Sequence, residues 1–234
     1  SKDFIGPFEV SINTLFKKRG KLVYAEDKKK GSLKEEIIIS TYCCHPSLAN
    51  DNLSGLITAV LLFKYICSQK TRKSYRLLIA PETIGVLCFL KKSQIQNISA
   101  GTVITTTGGP DLLSIKEAYD EDHWINKVTH LAVSKFTNNN YIKYPFQPDG
   151  SDERQFASPG VRIPTPSIHK SKYYEYKEYH TSGDNLNFVK AKYIQETLSC
   201  YIKWFHYVDS HCYPLRKQKV TLPAKTFCNN TNRL

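Results

Sequence analysis

Hydrophobic and polar positions along the chain follow two periods in alternation. Ile37-Ile38-Ile39-Ser40-Thr41-Tyr42 is an unbroken, β-branched run, the pattern of a strand covered on both faces. It ends at Cys43-Cys44-His45-Pro46. Residues 53–68 carry apolar side chains densely enough for a buried helix, with Asn50 or Asp51 available as its cap. Residues 75–80 predict the next strand, stopped by Pro81. Ile84–Lys92 predicts a second helix and residues 101–106 a third strand. Strand, helix, strand, helix, strand predicts an α/β sheet with helices on its faces. The expected fold is therefore three-layer α/β/α with a mixed, mostly parallel sheet.

Upstream, residues 9–13 and 21–26 predict two short strands joined across 17–20, a hairpin excursion over 9–26. Residues 28–36 read as a polar connection. Downstream, Gly108-Gly109-Pro110 breaks the alternation, 116–133 is mixed with a helix from His123, and 137–149 reads as a polar loop or lid. Residues 163–168 are extended. Residues 191–208 predict a long amphipathic helix, with Tyr193, Ile194, Leu198, Tyr201, Ile202 and Phe205 at helical spacing. The expected division is one domain over 1–212 and a basic tail over 213–234.

Composition changes this picture little. A chain of 234 residues with 41% apolar and 12% aromatic content can bury a sizeable core. Its apolar runs are too short to span a bilayer. Lys and Arg number 33 against 21 Asp and Glu, a net charge of +12. That charge is dispersed through lysine-rich loops, and no stretch interleaves it with aromatics as an RNA module does, so nucleic acid is not the expected partner. The seven cysteines contain no CxxC pair, and no charged-then-apolar stretch reads as a secretory leader. Reduced thiols in a cytoplasmic protein are expected. There is no methionine, so the chain reads as a fragment, a processed product or a trimmed form. Oligomerisation is left open.

Candidate chemistry collects where strands should end. In open α/β sheets, ligands bind at the carboxyl ends of the strands. His45 follows the first central strand, Asp51 opens the helix behind it, Glu82 follows the second strand, and His180 and Asp184 come later. Histidine and carboxylate on one rim are what a zinc site demands, and a nearby carboxylate can move the proton of the attacking water. Each residue also has a structural reading. His45 could be a loop histidine, Asp51 a helix cap, Glu82 a first-turn acid, and His180 a cap. Asp152, Glu153 and Arg154 lie in a turn-rich stretch and form either a substrate clamp or an ion-pair loop. Tyr173, Tyr174, Tyr176 and Tyr179 line a pocket or form a partly buried strand.

Four motifs in order carry a resemblance. Asn50-Asp51-Asn52-Leu53-Ser54-Gly55 resembles the D-N-x-S-G motif of co-catalytic zinc aminopeptidases, whose Asp bridges two zinc ions. Pro81-Glu82-Thr83-Ile84-Gly85 resembles their E-E-x-G motif, with a general base and then a zinc ligand. Ser151-Asp152-Glu153-Arg154-Gln155-Phe156 resembles S-D-H-x-x-F. Tyr179-His180-Thr181-Ser182-Gly183-Asp184 resembles Y-H-T-x-x-D, whose His is a zinc ligand. A bacterial aminopeptidase-like family of unknown function is more similar still, through C-H-P-S-x-A-N-D-N-L-S-G, P-E-T-I-G, S-D-E-R-Q and Y-H-T-S-x-D-N-L. In that family more chain precedes and follows, including a C-terminal winged helix.

The resemblance implies the zinc aminopeptidase/phosphorylase-hydrolase-like fold and one or two zinc ions. It implies His45, Asp51 and His180 as metal ligands, with Asp111 substituting from a shifted loop. Glu82 becomes the base or a ligand, and Asp152, Glu153, Arg154 and Tyr179 contact the substrate. Two departures stand out. Thr83 replaces the ligand Glu, and residues 105–109 lack the ligand Asp expected after the third strand. The implied activity is removal of an N-terminal residue from a peptide or an aminoacylated small molecule. The alternative is a metal-poor pseudoenzyme of the same fold that binds a peptide, a glycan precursor or a partner protein.

Overall fold

Strand β2 (Glu36–Tyr42) is buried along its whole length and organises everything around it. In this computed structural model, which describes residues 9, 11–15, 17–147 and 150–212, β2 lies between two parallel neighbours. These are β3 (Ser74–Ala80) and β4 (Ile98–Val103). An antiparallel edge strand, β1 (Ala25–Lys29), completes the order β1-β3-β2-β4. A second sheet has the order β6-β5-β7, formed by β5 (Leu113–Lys116), β6 (Ile142–Tyr144) and β7 (Ser167–Lys170). The backbone before β7 joins the two sheets, because Gly101 N–H donates to Pro164 O (3.0 Å) and Val103 N–H to Pro166 O (3.3 Å).

Successive side chains of β2 point to opposite faces, and each face has its own core. Ile37 and Ile39 pack on one side beneath α1 (Gly55–Ser68), α3 (Trp124–Thr137) and α5 (Ala191–Ser210). Ile38 packs on the other, with Val86 and Phe89 of α2 (Ile84–Lys92) and Phe156 of α4 (Glu153–Phe156). The three layers expected from the sequence are thus present, and the sheet is mixed. No helix among the described residues is long and apolar enough to cross a membrane.

Several elements differ from the sequence reading. The N-terminal hairpin is not formed: the strand begins at Ala25 and pairs with β3, while residues 9, 11–15 and 17–24 carry no strand. The third strand lies three residues earlier than expected, and 137–149 contains β6. The basic tail at 213–234 lies outside the described residues.

Parallel pairing of β2, β3 and β4 places their carboxyl ends on one rim, with Tyr42 opposite Ala80 and Ser40 opposite Val103. The chain crosses that rim through a kinked, wide helical turn, Ala49–Ser54, in which Asp51 (φ −111°, ψ 79°) and Asn52 (φ −143°, ψ 31°) leave helical geometry. Polar side chains at alternate positions staple this turn to the loop after β4. Asn50 Oδ1 accepts from Gly108 N–H (2.8 Å), Asn52 Oδ1 from Thr106 N–H (3.2 Å), and Ser54 Oγ from Thr107 N–H (2.9 Å). Gly55 completes the motif, since a Cβ there would lie 2.1 Å from Asn52 Oδ1 and 2.8 Å from Ile104 O.

Neither Asn50 nor Asp51 caps the helix with its own side chain. The fully buried carboxylate of Asp184 does that work from far along the chain. It accepts from Asn50 N–H (2.5 Å), Asp51 N–H (3.1 Å) and the Tyr176 hydroxyl (3.0 Å). Removing it strands buried donors that water cannot reach, at roughly 1–3 kcal/mol each. Asp184→Ala is therefore expected to cost about 3–5 kcal/mol, with Asp184→Asn costing less because an acceptor survives. Urea midpoints at unchanged slope measure this. A loss below about 1 kcal/mol would show that the clamp does not hold the turn.

Candidate metal centre

Each residue at the rim is aimed by a buried neighbour. The Asp51 side chain, held in the wide turn, is 1% exposed, and its Oδ1 accepts the Tyr42 hydroxyl. Tyr42 also meets Thr105 Oγ1 at 2.7 Å. Burial, and then the charges of Asp51 and Glu82, push the Tyr42 phenol far above its ordinary range. Tyr42 therefore remains a donor, and Asp51 remains oriented. The other oxygen, Asp51 Oδ2, lies 3.0 Å from His180 Nε2. Tyr179 stacks flat on the His180 ring, with centroids 4.0 Å apart and planes 15° apart. His45, just past the end of β2, brings its ring to 5.4 Å from that of His180.

Glu82 is presented by a strained turn. Thr83 has φ 58° and ψ −66°, and Ile84 N–H donates to Glu82 O across it (2.7 Å). This is a γ-turn of the rare hand, costly for a β-branched residue. It is retained because Thr83 N–H donates to the buried Asp152 Oδ1 (2.7 Å). The motif glycine, Gly85, allows α2 to fold back directly, since a Cβ would lie 2.7 Å from Ala80 Cβ. Ser151 donates to Glu82 Oε1 (2.6 Å), leaving Oε2 facing His45 Nε2 at 3.9 Å. Burial raises the Glu82 carboxyl above its usual range, the Ser151 bond opposes this, and the Asp51 charge adds to it.

Two donor groups result. His45, Asp51 and His180 each offer an atom within 4.8 Å of the others, and so do Cys44, His45 and Glu82. A cleft of about 400 Å³ adjoins them, lined by Tyr42, His45, Pro46, Leu48, Leu53 and Leu56 among others.

Other expected site residues fall elsewhere. Asp111 belongs to neither donor group. It is exposed, its N–H is tied to Ser171 Oγ (3.3 Å), and it lines a separate cavity with Tyr144 and Lys172. Asp152 and Glu153, expected to hold a substrate amine, are 0% and 1% exposed. Asp152 holds Thr83, and Glu153 Oε1 accepts from Ser167 Oγ (2.7 Å). Arg154 is exposed. Of the four tyrosines, Tyr173 and Tyr176 are buried, Tyr174 is exposed, and the segment forms turns, not a strand. Tyr42 and Cys44 were not anticipated. Tyr42 closes the central strand, which offered no sign that its hydroxyl would meet Asp51.

Known proteins extend the picture. Residues 8–211 match the family described as "Domain of unknown function (DUF4910)". A Clostridium acetobutylicum protein, provisionally named a polysaccharide biosynthesis protein with an aminopeptidase-like domain, is 35% identical over 206 residues, covering 87% of this chain and 47% of its own. The crystal structure of a provisionally assigned peptidase from Clostridium acetobutylicum superposes with a TM-score of 0.76 at 33% identity, covering 83% of this chain and 48% of that one. The Bacillus subtilis zinc aminopeptidase superposes with a TM-score of 0.67 at 13% identity, over 79% of this chain and 49% of that one. That last likeness shows the fold alone. This chain spans about half the length of these relatives.

Asp152 gives the rim a pH signature. Burial, reinforced by Glu82 and Glu153, raises its carboxyl well above the ordinary value. A raised acid favours the protonated folded chain. Its contribution is complete below the unfolded value of about 3.9 and is lost as pH rises from there through the elevated folded value. The stability of the wild type relative to Asp152→Asn is expected to fall over that interval in urea titrations. A pH-independent difference would refute it.

Proposed function

This chain belongs to the DUF4910 family, and from that premise and the geometry of the rim we propose that it is a metal-dependent amide hydrolase of aminopeptidase type. The observation carrying this reading is the convergence of His45, Asp51 and His180 donor atoms within 4.8 Å, with Glu82 alongside at 3.9 Å from His45. The donor set fits zinc: two imidazoles and a carboxylate are ordinary ligands, and three protein donors leave a coordination position open. Tyr42 behind Asp51 and Tyr179 against His180 supply the outer contacts that fix such ligands.

Zinc supplies Lewis acidity at the scissile carbonyl and makes water a competent nucleophile near neutral pH. The remaining work belongs to the chain. Glu82, through Oε2, takes a proton from the attacking water and returns it to the leaving amine, while Ser151 holds Oε1. The raised carboxyl keeps proton transfer closer to neutral pH. The apolar side of the cleft, from Leu48, Leu53 and Leu56, takes the residue flanking the scissile bond. The substrate class is a peptide or an aminoacylated small molecule, and the name of the Clostridium relative brings glycan precursors into it.

A second reading, a binding protein of the same fold, is favoured by Thr83 and by the carboxylate-free stretch 105–109. These occupy the places of two ligands in the zinc aminopeptidases that the motifs resemble. Elemental analysis after purification without chelator separates the readings. Bound zinc that is lost in both His45→Ala and His180→Ala supports the hydrolase. So does a fall in turnover of roughly 10²–10⁴-fold in Glu82→Gln at unchanged metal content. No metal and no turnover in the wild type selects the binding protein, whereas full turnover in Glu82→Gln removes Glu82 from the role of base.

A further inference from the structure

The second donor group on the rim adds Cys44 to two residues of the hydrolytic reading, His45 and Glu82. Cys44 Sγ, a ring nitrogen of His45 and a Glu82 oxygen lie within 4.8 Å of one another. We propose that Cys44, His45 and Glu82 form a separate cation position with a thiolate donor, suited to soft divalent ions, and that filling it takes Glu82 out of proton transfer. The last clause rests on the hydrolase reading, whereas the metal position itself does not.

The geometry is close to what such a position requires. Sγ lies 3.4 Å from His45 Nδ1. A tetrahedral ion with its usual bond lengths holds sulfur and nitrogen about 3.5 Å apart. The three side chains are open to solvent in different degrees: Cys44 is exposed, and His45 and Glu82 partly so. An ion can therefore enter without rearrangement of the core. Cys44 also has the support that ligating sulfur receives, since Glu82 N–H donates to it at 3.3 Å. Hydrogen bonds to the sulfur tune a metal–thiolate site. Binding releases the thiol proton to solvent as the metal–sulfur bond forms.

The two groups share His45 but differ in chemistry. His45, Asp51 and His180 offer only nitrogen and oxygen. Cys44 adds a soft donor that biases the position toward ions with an affinity for thiolate. Thr83 has removed a carboxylate from this rim relative to the zinc aminopeptidases that the motifs resemble, and the sulfur stands on the same rim, bonded to the backbone of Glu82.

Cobalt(II) reports thiolate ligation directly, through a near-ultraviolet sulfur-to-metal charge-transfer band that nitrogen and oxygen ligands do not give. Cobalt(II) would be titrated into the wild-type chain and into His180→Ala, which cuts only the first group. Each would be repeated with Cys44→Ser and with Cys43→Ser. The band is expected in wild type and His180→Ala, lost with Cys44→Ser and kept with Cys43→Ser. Cobalt bound with d–d bands alone in the wild type overturns the thiolate position, and loss of those bands in His180→Ala leaves the His45–Asp51–His180 reading standing. A band surviving Cys44→Ser places the sulfur elsewhere and also overturns it. A band abolished by His180→Ala overturns the separateness of the position. No cobalt uptake by any form overturns both readings.

Discussion

The arrangement of the rim depends on one carboxylate. Asp184 lies 133 positions from Asp51 in sequence, yet its two oxygens close on consecutive backbone N–H groups at the mouth of α1. Its own carbonyl accepts from Ala49 N–H (3.1 Å). These bonds tie the loop carrying His180 to the wide turn at the ends of the parallel strands. With them, His180 is delivered within 3.0 Å of Asp51. The same contact satisfies orphan donors at a helix start and sets the distance between two candidate ligands, so local structure and site geometry cannot be altered independently.

A division of labour runs through every motif. In Asn50–Ser54, the alternate residues Asn50, Asn52 and Ser54 turn inward to bind the loop after β4, and Asp51 alone faces the rim. In the 151–153 stretch, Ser151 holds Glu82, Asp152 holds Thr83, and Glu153 is buried against Ser167. Buried polar groups must find partners, and here the partners are the backbone and side chains that aim the chemistry. Much of what reads as functional sequence is thus the support for a small number of exposed atoms.

The sequence made the central elements legible and hid the peripheral ones, for physical reasons. The run 37–42 could only be a strand covered on both faces, and α2 occupies the residues expected from its apolar density. The rim positions of His45, Asp51, Glu82 and His180 followed from strand ends and motif order. β5 is hidden because its four residues alternate apolar with polar and end on Lys116. That lysine is 1% exposed, its charge met by the Tyr173 hydroxyl and the Phe146 ring, a shelter that no local pattern reveals. Asp152 and Glu153 were misplaced for a similar reason, since acids are rarely buried. Asp111 looked close to the rim in sequence, but β5 leads the chain away toward the second sheet.

The strain at Thr83 connects these observations. A β-branched residue at positive φ costs of order 1–3 kcal/mol, and Thr83 bears it in the turn between Glu82 and α2. What it achieves is a reversal tight enough for Glu82 to stand between Ser151 and His45, with its own N–H against Cys44. The buried Asp152 side chain holds the turn through Thr83 N–H, and burial favours its protonated form. Two unfavourable features are thus coupled at one place, where they support each other, and both serve the position of a single side chain. Strain and a buried acid gather behind one side chain, Glu82, and their contacts fix where it stands.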